Sequence, residues 1–294
     1  MKLIKIIIDS GIDQNTYMKE NYDYEFLPLS VIIEEKVYLD QEEISLKEVH
    51  QYMSEGIMPK TSQISPQSLL NLLDEARKER EDVLYLSIYS QFSGTFQVAH
   101  SLINEYRTNH PEMNIEIIDS LGGSGGGALL ALQAMEMVKS GLNFETVVNQ
   151  TRENTKHIRY HFTLNDLNWL VKGGRLSKMA GAAGTALNIK PYLTVDHTGI
   201  IVKKLVRGQE RIYKRIIKDV KEGVGTFDDQ LVTISHVNDL AAAEKLREMV
   251  ETALPSVSTQ ILDIGAVLAA HLGIGGVGVF YFDEKPETYM YLDK

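Results

Sequence analysis

Three observations predict an α/β protein of two domains. Short β-branched runs alternate with helical patterns through the first half, which argues for βαβ units and a mostly parallel sheet. The 294 residues exceed one ordinary domain of ~150 residues. The hydrophobic pattern gives way to a polar stretch around Thr151–Arg159. The expected division is therefore an N-terminal α/β domain over 1–155 and a C-terminal α/β domain over 156–294.

The elements follow in chain order. Leu3–Ile8 reads as a buried strand ending at Asp9-Ser10, and Phe26–Ile33 as a second, with Val37–Leu39 as its partner. Ser45–Glu55 is a helix capped by Ser45, and Ser65-Pro66 opens another with Leu69, Leu70, Leu73 and Ala76 at helical spacing. Val83–Tyr89 is a strand, Thr95–Tyr106 a helix, Ile115–Ile118 a strand, and Ala128–Lys139 and Phe144–Arg152 helices. The second half opens with Phe162–Leu170 and the turn Lys172-Gly173-Gly174-Arg175, followed by a small-residue run over 179–189. Leu193–Val195 and Ile200–Val206 flank His197-Thr198-Gly199 as a hairpin. Glu210–Lys221 is a helix with Ile212, Ile216, Ile217 and Val220 on one face. Leu231–Ser235, Thr259–Ile264 and Val277–Phe282 are strands, and Leu240–Ala253 is a helix.

Composition narrows the function classes. Cysteine is absent, which excludes a disulfide framework, a thiolate metal site and a cysteine nucleophile. A formal charge of −10 argues against nucleic acid and anionic membrane surfaces as general partners. No apolar run approaches ~18 residues, and Met1–Ser10 lacks the pattern of a signal peptide, so a cytoplasmic location is expected.

Polar residues gather at four strand ends: Asp9-Ser10, Ser90 with Ser93, Asp119-Ser120 and Ser235-His236. Ligands of open α/β sheets collect at such ends, but Asp and Ser also cap the helices that follow. Gly122-Gly123-Ser124-Gly125-Gly126 matches the spacing of a hydrolase nucleophile elbow, with Asp228 or Asp263 and then His271 later in the chain. A serine esterase using Ser124 is thus the alternative to a binding protein. Five glycines in six positions produce that match cheaply, and no oxyanion loop precedes it. The dinucleotide reading of the same run fails because a helix, not a strand ending in an acid, follows. His157 and His161 have a metal spacing only if helical, and here they read as extended. No complete catalytic, cofactor or metal motif is present, so no cofactor and no metal are expected.

Three segments lack an ordinary structural role: Lys60–Ser65, Ser90–Phe96 and Gly265–Gly276 with its single His271. At these residues the chain resembles the DegV family, the bacterial fatty-acid-binding proteins also called FakB. The matching pieces are IIIDSGID, KTSQIS, SIYSQFSGTFQVAH, IIDSLGGSGGGALL, TLNDLNWLVKGGRLSK, ALNIKPYL and IGAVLAAHLGIGGVGVFYF. The resemblance implies two α/β domains, the second with a mixed sheet, and a ligand tunnel between and within them. It implies a carrier rather than an enzyme, holding one long-chain fatty acid and presenting its carboxylate to a fatty acid kinase. Transient contact with a membrane or an acyltransferase belongs to the same picture. Carried over by motif, Thr61, Ser93 and His271 look like the carboxylate-binding trio, with Ser62, Gly94 and Thr95 beside them. Lys172, Arg175 and Arg207 look like the kinase-docking surface. The small residues of 180–186 and the aliphatics of Leu129–Met137 could line the tail or simply pack a core. The chain departs from the family pattern at Gly273-Ile274-Gly275-Gly276, where a GPGA-like segment is usual, and at Gly122-Gly123, where larger residues are usual.

Overall fold

The computed structural model describes residues 2–177 and 188–290. The first half runs β1 (Ile4–Asp9), α1 (Thr16–Asn21), β2 (Glu25–Leu27), β3 (Leu29–Ile33), β4 (Lys36–Leu39), α2 (Leu46–Ser54), β5 (Lys60–Ile64) and α3 (Pro66–Glu79). It continues through β6 (Asp82–Ser87), α4 (Thr95–Asn109), β7 (Ile115–Asp119), α5 (Ser124–Lys139) and α6 (Phe144–Asn154). The second half contains β8 (Ile158–Thr163), α7 (Asn168–Lys172), β9 (Ile189–Asp196), β10 (Gly199–Arg207) and α8 (Gln209–Val224). After these come β11 (Leu231–His236), α9 (Leu240–Ala253), β12 (Ser258–Asp263), α10 (Ala266–Leu272) and β13 (Val277–Phe282).

Three sheets result. A parallel sheet in the order β2-β1-β6-β7 and an antiparallel one in the order β4-β3-β5 take all their strands from before residue 155. A mixed sheet, β10-β9-β8-β13-β11-β12, takes all of its strands from after it. In that sheet β11 and β12 run parallel and the remaining pairs antiparallel.

The expected single strand over Phe26–Ile33 is two strands in different sheets. Pro28 has no N–H for a ladder bond, so the chain leaves the parallel sheet there and turns into β3. The break is held by the Ser10 hydroxyl, which accepts from the Leu29 N–H at 3.0 Å. Local signals elsewhere did set the elements. Ser45 and Glu48 form a reciprocal capping box on α2, and Ser65 caps α3 with Pro66 in its first turn.

Helix α5 explains the glycine run. It is buried on nearly every side, between the parallel sheet and the mixed sheet, and its residues join Ile6 and Ile8 to Phe280 and Phe282 in one core. A Cβ on Gly125 would lie 2.6 Å from the Phe280 ring, one on Gly126 2.4 Å from Tyr160, and one on Gly127 2.8 Å from Ile12. The glycines let the start of the helix lie close against the mixed sheet on one side and the loop after β1 on the other. Leu129–Met137 therefore pack this core, and none of them lines the cavity described below.

Candidate binding site between the halves

The acids at the strand ends brace loops. Asp9 accepts from the N–H groups of Gly11 (3.0 Å) and Ile88 (2.9 Å), the Tyr85 hydroxyl (3.0 Å) and the Ser87 hydroxyl (3.1 Å). Asp119 accepts from the N–H groups of Ser90 and Leu121, each at 3.2 Å. These bonds hold the loop from Ile88 to Ser93 and the start of α5 beyond the carboxyl ends of the parallel strands. That is where sheets of this kind place ligands.

Between these loops and the mixed sheet lies a narrow apolar cavity. Its volume is about 70 Å³, and we refer to it as the slot. Leu29, Ile88 and Phe92 contribute from the first half, and Phe162, Leu268 and Phe280 are among the walls of the second. Tyr160 and Phe162 are alternate residues of β8, and Phe280 lies on the adjacent β13, so one sheet face supplies the aromatic wall. That alternation is legible in the sequence, although it was not read there as a binding surface.

One part of the wall is polar. Thr61, Ser93, His271 and Arg175 line the same cavity. Thr61 sits on β5 and His271 in the last turn of α10, and Thr61 Oγ1 lies 2.8 Å from His271 Nε2. Burial, with the positive charge of Arg175 added to it, pushes the His271 imidazole down to about 4, so the ring is neutral at neutral pH. Its Nδ1 is buried without a hydrogen-bond partner among the described residues. Gly173 lies against that nitrogen so closely that a Cβ there would be 2.3 Å from it. The Ser93 hydroxyl is 2.9 Å from Thr95 Oγ1 and accepts from the Thr95 N–H at 3.2 Å.

The other expected site residues divide. Ser62 is exposed and does not line the cavity, because neighbouring residues of a strand point to opposite faces. Gly94 and Thr95 do not line it either; Thr95 is buried beneath Ser93 and supports it. Lys172 and Arg207 are exposed. Arg175 is not a free surface cation. Its Nε donates to the Phe92 carbonyl at 2.9 Å and its Nη1 to the Gly173 carbonyl at 2.6 Å, and burial lowers its pKa. The guanidinium is thus built into the polar end of the cavity. The small-residue run of 180–186 lies outside the described residues.

Ser124 lines the cavity, but the hydrolase constellation is not assembled around it. Its hydroxyl donates to Asp13 Oδ2 at 2.5 Å, whereas His271 meets Thr61 and Asp263 stands exposed beside His236. His161 is a core histidine between the hydroxyls of Tyr192 (2.6 Å) and Tyr281 (3.1 Å). Among the described residues no cluster of acids and histidines could hold a metal ion.

Asp13 carries a testable consequence. Burial outweighs its hydrogen bonds and raises its carboxyl from 3.8 to about 7. Between ~4 and ~7 the folded chain therefore binds a proton that the unfolded chain does not, and stability from this group falls as pH rises through that window. Asp13→Asn should flatten the stability difference between pH 5 and pH 8 by on the order of 1 kcal/mol or more. Urea midpoints at both pH values check it; a variant with the same pH slope as wild type would remove this role for Asp13.

The family model described as DegV family matches residues 3–284. A DegV domain-containing protein of Clostridium perfringens is 30% identical over 290 residues, which cover 98% of this chain and 100% of that one. A fatty acid binding DegV family protein from Streptococcus agalactiae has a similar structure, with a TM-score of 0.85 at 30% identity over 97% of this chain and 100% of that one. A stearic acid-binding protein from Eubacterium ventriosum superposes with a TM-score of 0.87 at 27% identity, covering 95% of this chain and 97% of that one. In sequence over nearly its whole length and in fold, the chain belongs to the DegV family.

Proposed function

We propose that the protein is a fatty-acid carrier, not an enzyme, which holds one long-chain fatty acid and presents its carboxylate to a fatty acid kinase. The observation that carries this reading is an apolar slot whose one polar end gathers two hydroxyls, an imidazole and a guanidinium. A fatty acid needs both parts. Burying about 15 methylenes at ~0.8 kcal/mol each supplies on the order of 12 kcal/mol before ordering costs. A carboxylate taken from water costs several kcal/mol unless donors meet it.

The polar end can supply those donors. With the proton of the neutral His271 on Nε2, the ring donates to Thr61 Oγ1, and the Thr61 hydroxyl hydrogen is left for the ligand. Ser93 offers a second hydroxyl, and Arg175 supplies positive charge suited to a carboxylate or an acyl phosphate. The tail would lie along the aliphatic and aromatic walls of the slot. The relatives from S. agalactiae and E. ventriosum, both described as binding fatty acid, support the same ligand class.

Docking of the kinase falls to Lys172 and Arg207, exposed cations on a chain of net charge −10. Among the described residues no helix is long and apolar enough to cross a membrane, which suits a carrier working in the cytoplasm between membrane and enzyme. The test is acyl-phosphate formation by protein loaded with oleate, in the presence of ATP and a fatty acid kinase, trapped as the hydroxamate. Arg207→Glu should leave bound lipid and thermal stability unchanged and slow turnover, most at low salt, because charge steers encounter. Arg175→Met should also lower the melting temperature, since it leaves the Phe92 and Gly173 carbonyls without their donor at ~1–3 kcal/mol each. Unchanged turnover in Arg207→Glu would refute docking there.

A further inference from the structure

Helix α10 bridges the two halves at both of its ends. At its last turn His271 meets Thr61 of β5. At its first turn the Val267 N–H donates to Asp40 Oδ2 at 3.3 Å, and Asp40 directly follows β4. Strands β4 and β5 are the two edges of one three-stranded sheet. That sheet therefore grips both ends of a helix that comes from the other half of the chain. Val267 and His271 are four residues apart, one helical turn and ~6 Å along the axis, and both line the cavity.

We propose that Asp40 is a positioning residue for the head-group site, fixing the start of α10 on this sheet so that His271 meets Thr61 one turn later. The proposal rests on the carrier reading for its consequence, but not for its geometry. The rest of α10 is poorly suited to set its own register. Ala266, Ala269 and Ala270 are small, buried and apolar, and apolar contact has no preferred direction. A hydrogen bond does. Asp40 is itself anchored, its N–H donating to the Leu29 carbonyl at 3.0 Å, and Leu29 is held in turn by Ser10. Asp13 gives a second support: its Oδ1 accepts from the Gly265 N–H at 3.2 Å, tying the residue before α10 to the loop after β1. Asp40 makes no contact with the ligand in this scheme and acts through the helix.

The test is nuclear magnetic resonance of the full chain, read at the His271 ring nitrogens without ligand and at the carbon of carboxyl-13C palmitate when bound. Asp40→Ala, and Asp40→Glu with one added methylene, should shift both signals and lower acyl-phosphate formation about tenfold. Asp40→Asn keeps an acceptor for the Val267 N–H and should retain the wild-type signals. Val220→Ala, a core truncation in α8, should lower the melting temperature and leave both signals in place. Where Asp40→Ala does not fold, Asp40→Glu and Asp40→Asn are read by the same criteria. Wild-type signals in Asp40→Glu, or equal displacement in Asp40→Asn or Val220→Ala, would overturn the assignment. Failure of the wild-type protein to take up palmitate would defeat the carrier reading instead, and the ligand-free His271 signals would still decide the role of Asp40.

Discussion

Replacing His271 with alanine should leave the acyl chain bound and reduce acyl-phosphate formation by about 10- to 100-fold. On the carrier reading the tail supplies most of the affinity, and its walls are untouched by this change. The head loses the group that orients the Thr61 hydroxyl, at ~1–3 kcal/mol for a buried polar group left short of a partner. Thr61→Val, which keeps the shape and removes the hydroxyl, should act in the same direction, and so should Ser93→Ala. Extracted lipid per chain and kinase turnover are the paired measurements. Normal turnover in all three variants would move the head-group site elsewhere.

Leu268→Trp should do the opposite and abolish retention of long-chain lipid. Leu268 of α10 and Gly123, just before α5, both line the slot, and a Cβ on Gly123 would lie 3.7 Å from the Leu268 side chain. On the carrier reading an indole at that position would obstruct the tail. If half of a 15-methylene chain is turned away, the loss is on the order of 5 kcal/mol, or several thousandfold in affinity. Shorter acids should bind less impaired than longer ones. A displacement titration over acyl length reads the effect, and equal loss at every length would show that the slot does not hold the tail.

The sequence made the elements legible wherever local chemistry sets them. The serine caps of α2 and α3, the amphipathic face of α8 and the hairpin at His197-Thr198-Gly199 depend on neighbours within a few residues, and the structure has them where the pattern puts them. Pro28 was a local signal passed over within an apolar run. The head-group trio was reached through resemblance, because the pairing of Thr61 with His271 spans 210 residues and no spacing rule joins them. The internal place of Arg175 was hidden for another reason: its two acceptors are backbone carbonyls, which leave no mark in side-chain identity. Nothing local in the sequence marks Asp13 or Asp40; only the fold sets them against α10. Ser62 was carried over with its neighbour, although a strand at that position sends it to the other face.

The central claim is that the slot holds a fatty acid, and the most direct test is the lipid content of the protein itself. Protein purified from a bacterial host, extracted with organic solvent and analysed by mass spectrometry, should yield about one long-chain fatty acid per folded chain. Leu268→Trp prepared in parallel should yield little or none. Well-folded wild-type protein that releases only phospholipid, only a nucleotide or no lipid at all would contradict the carrier.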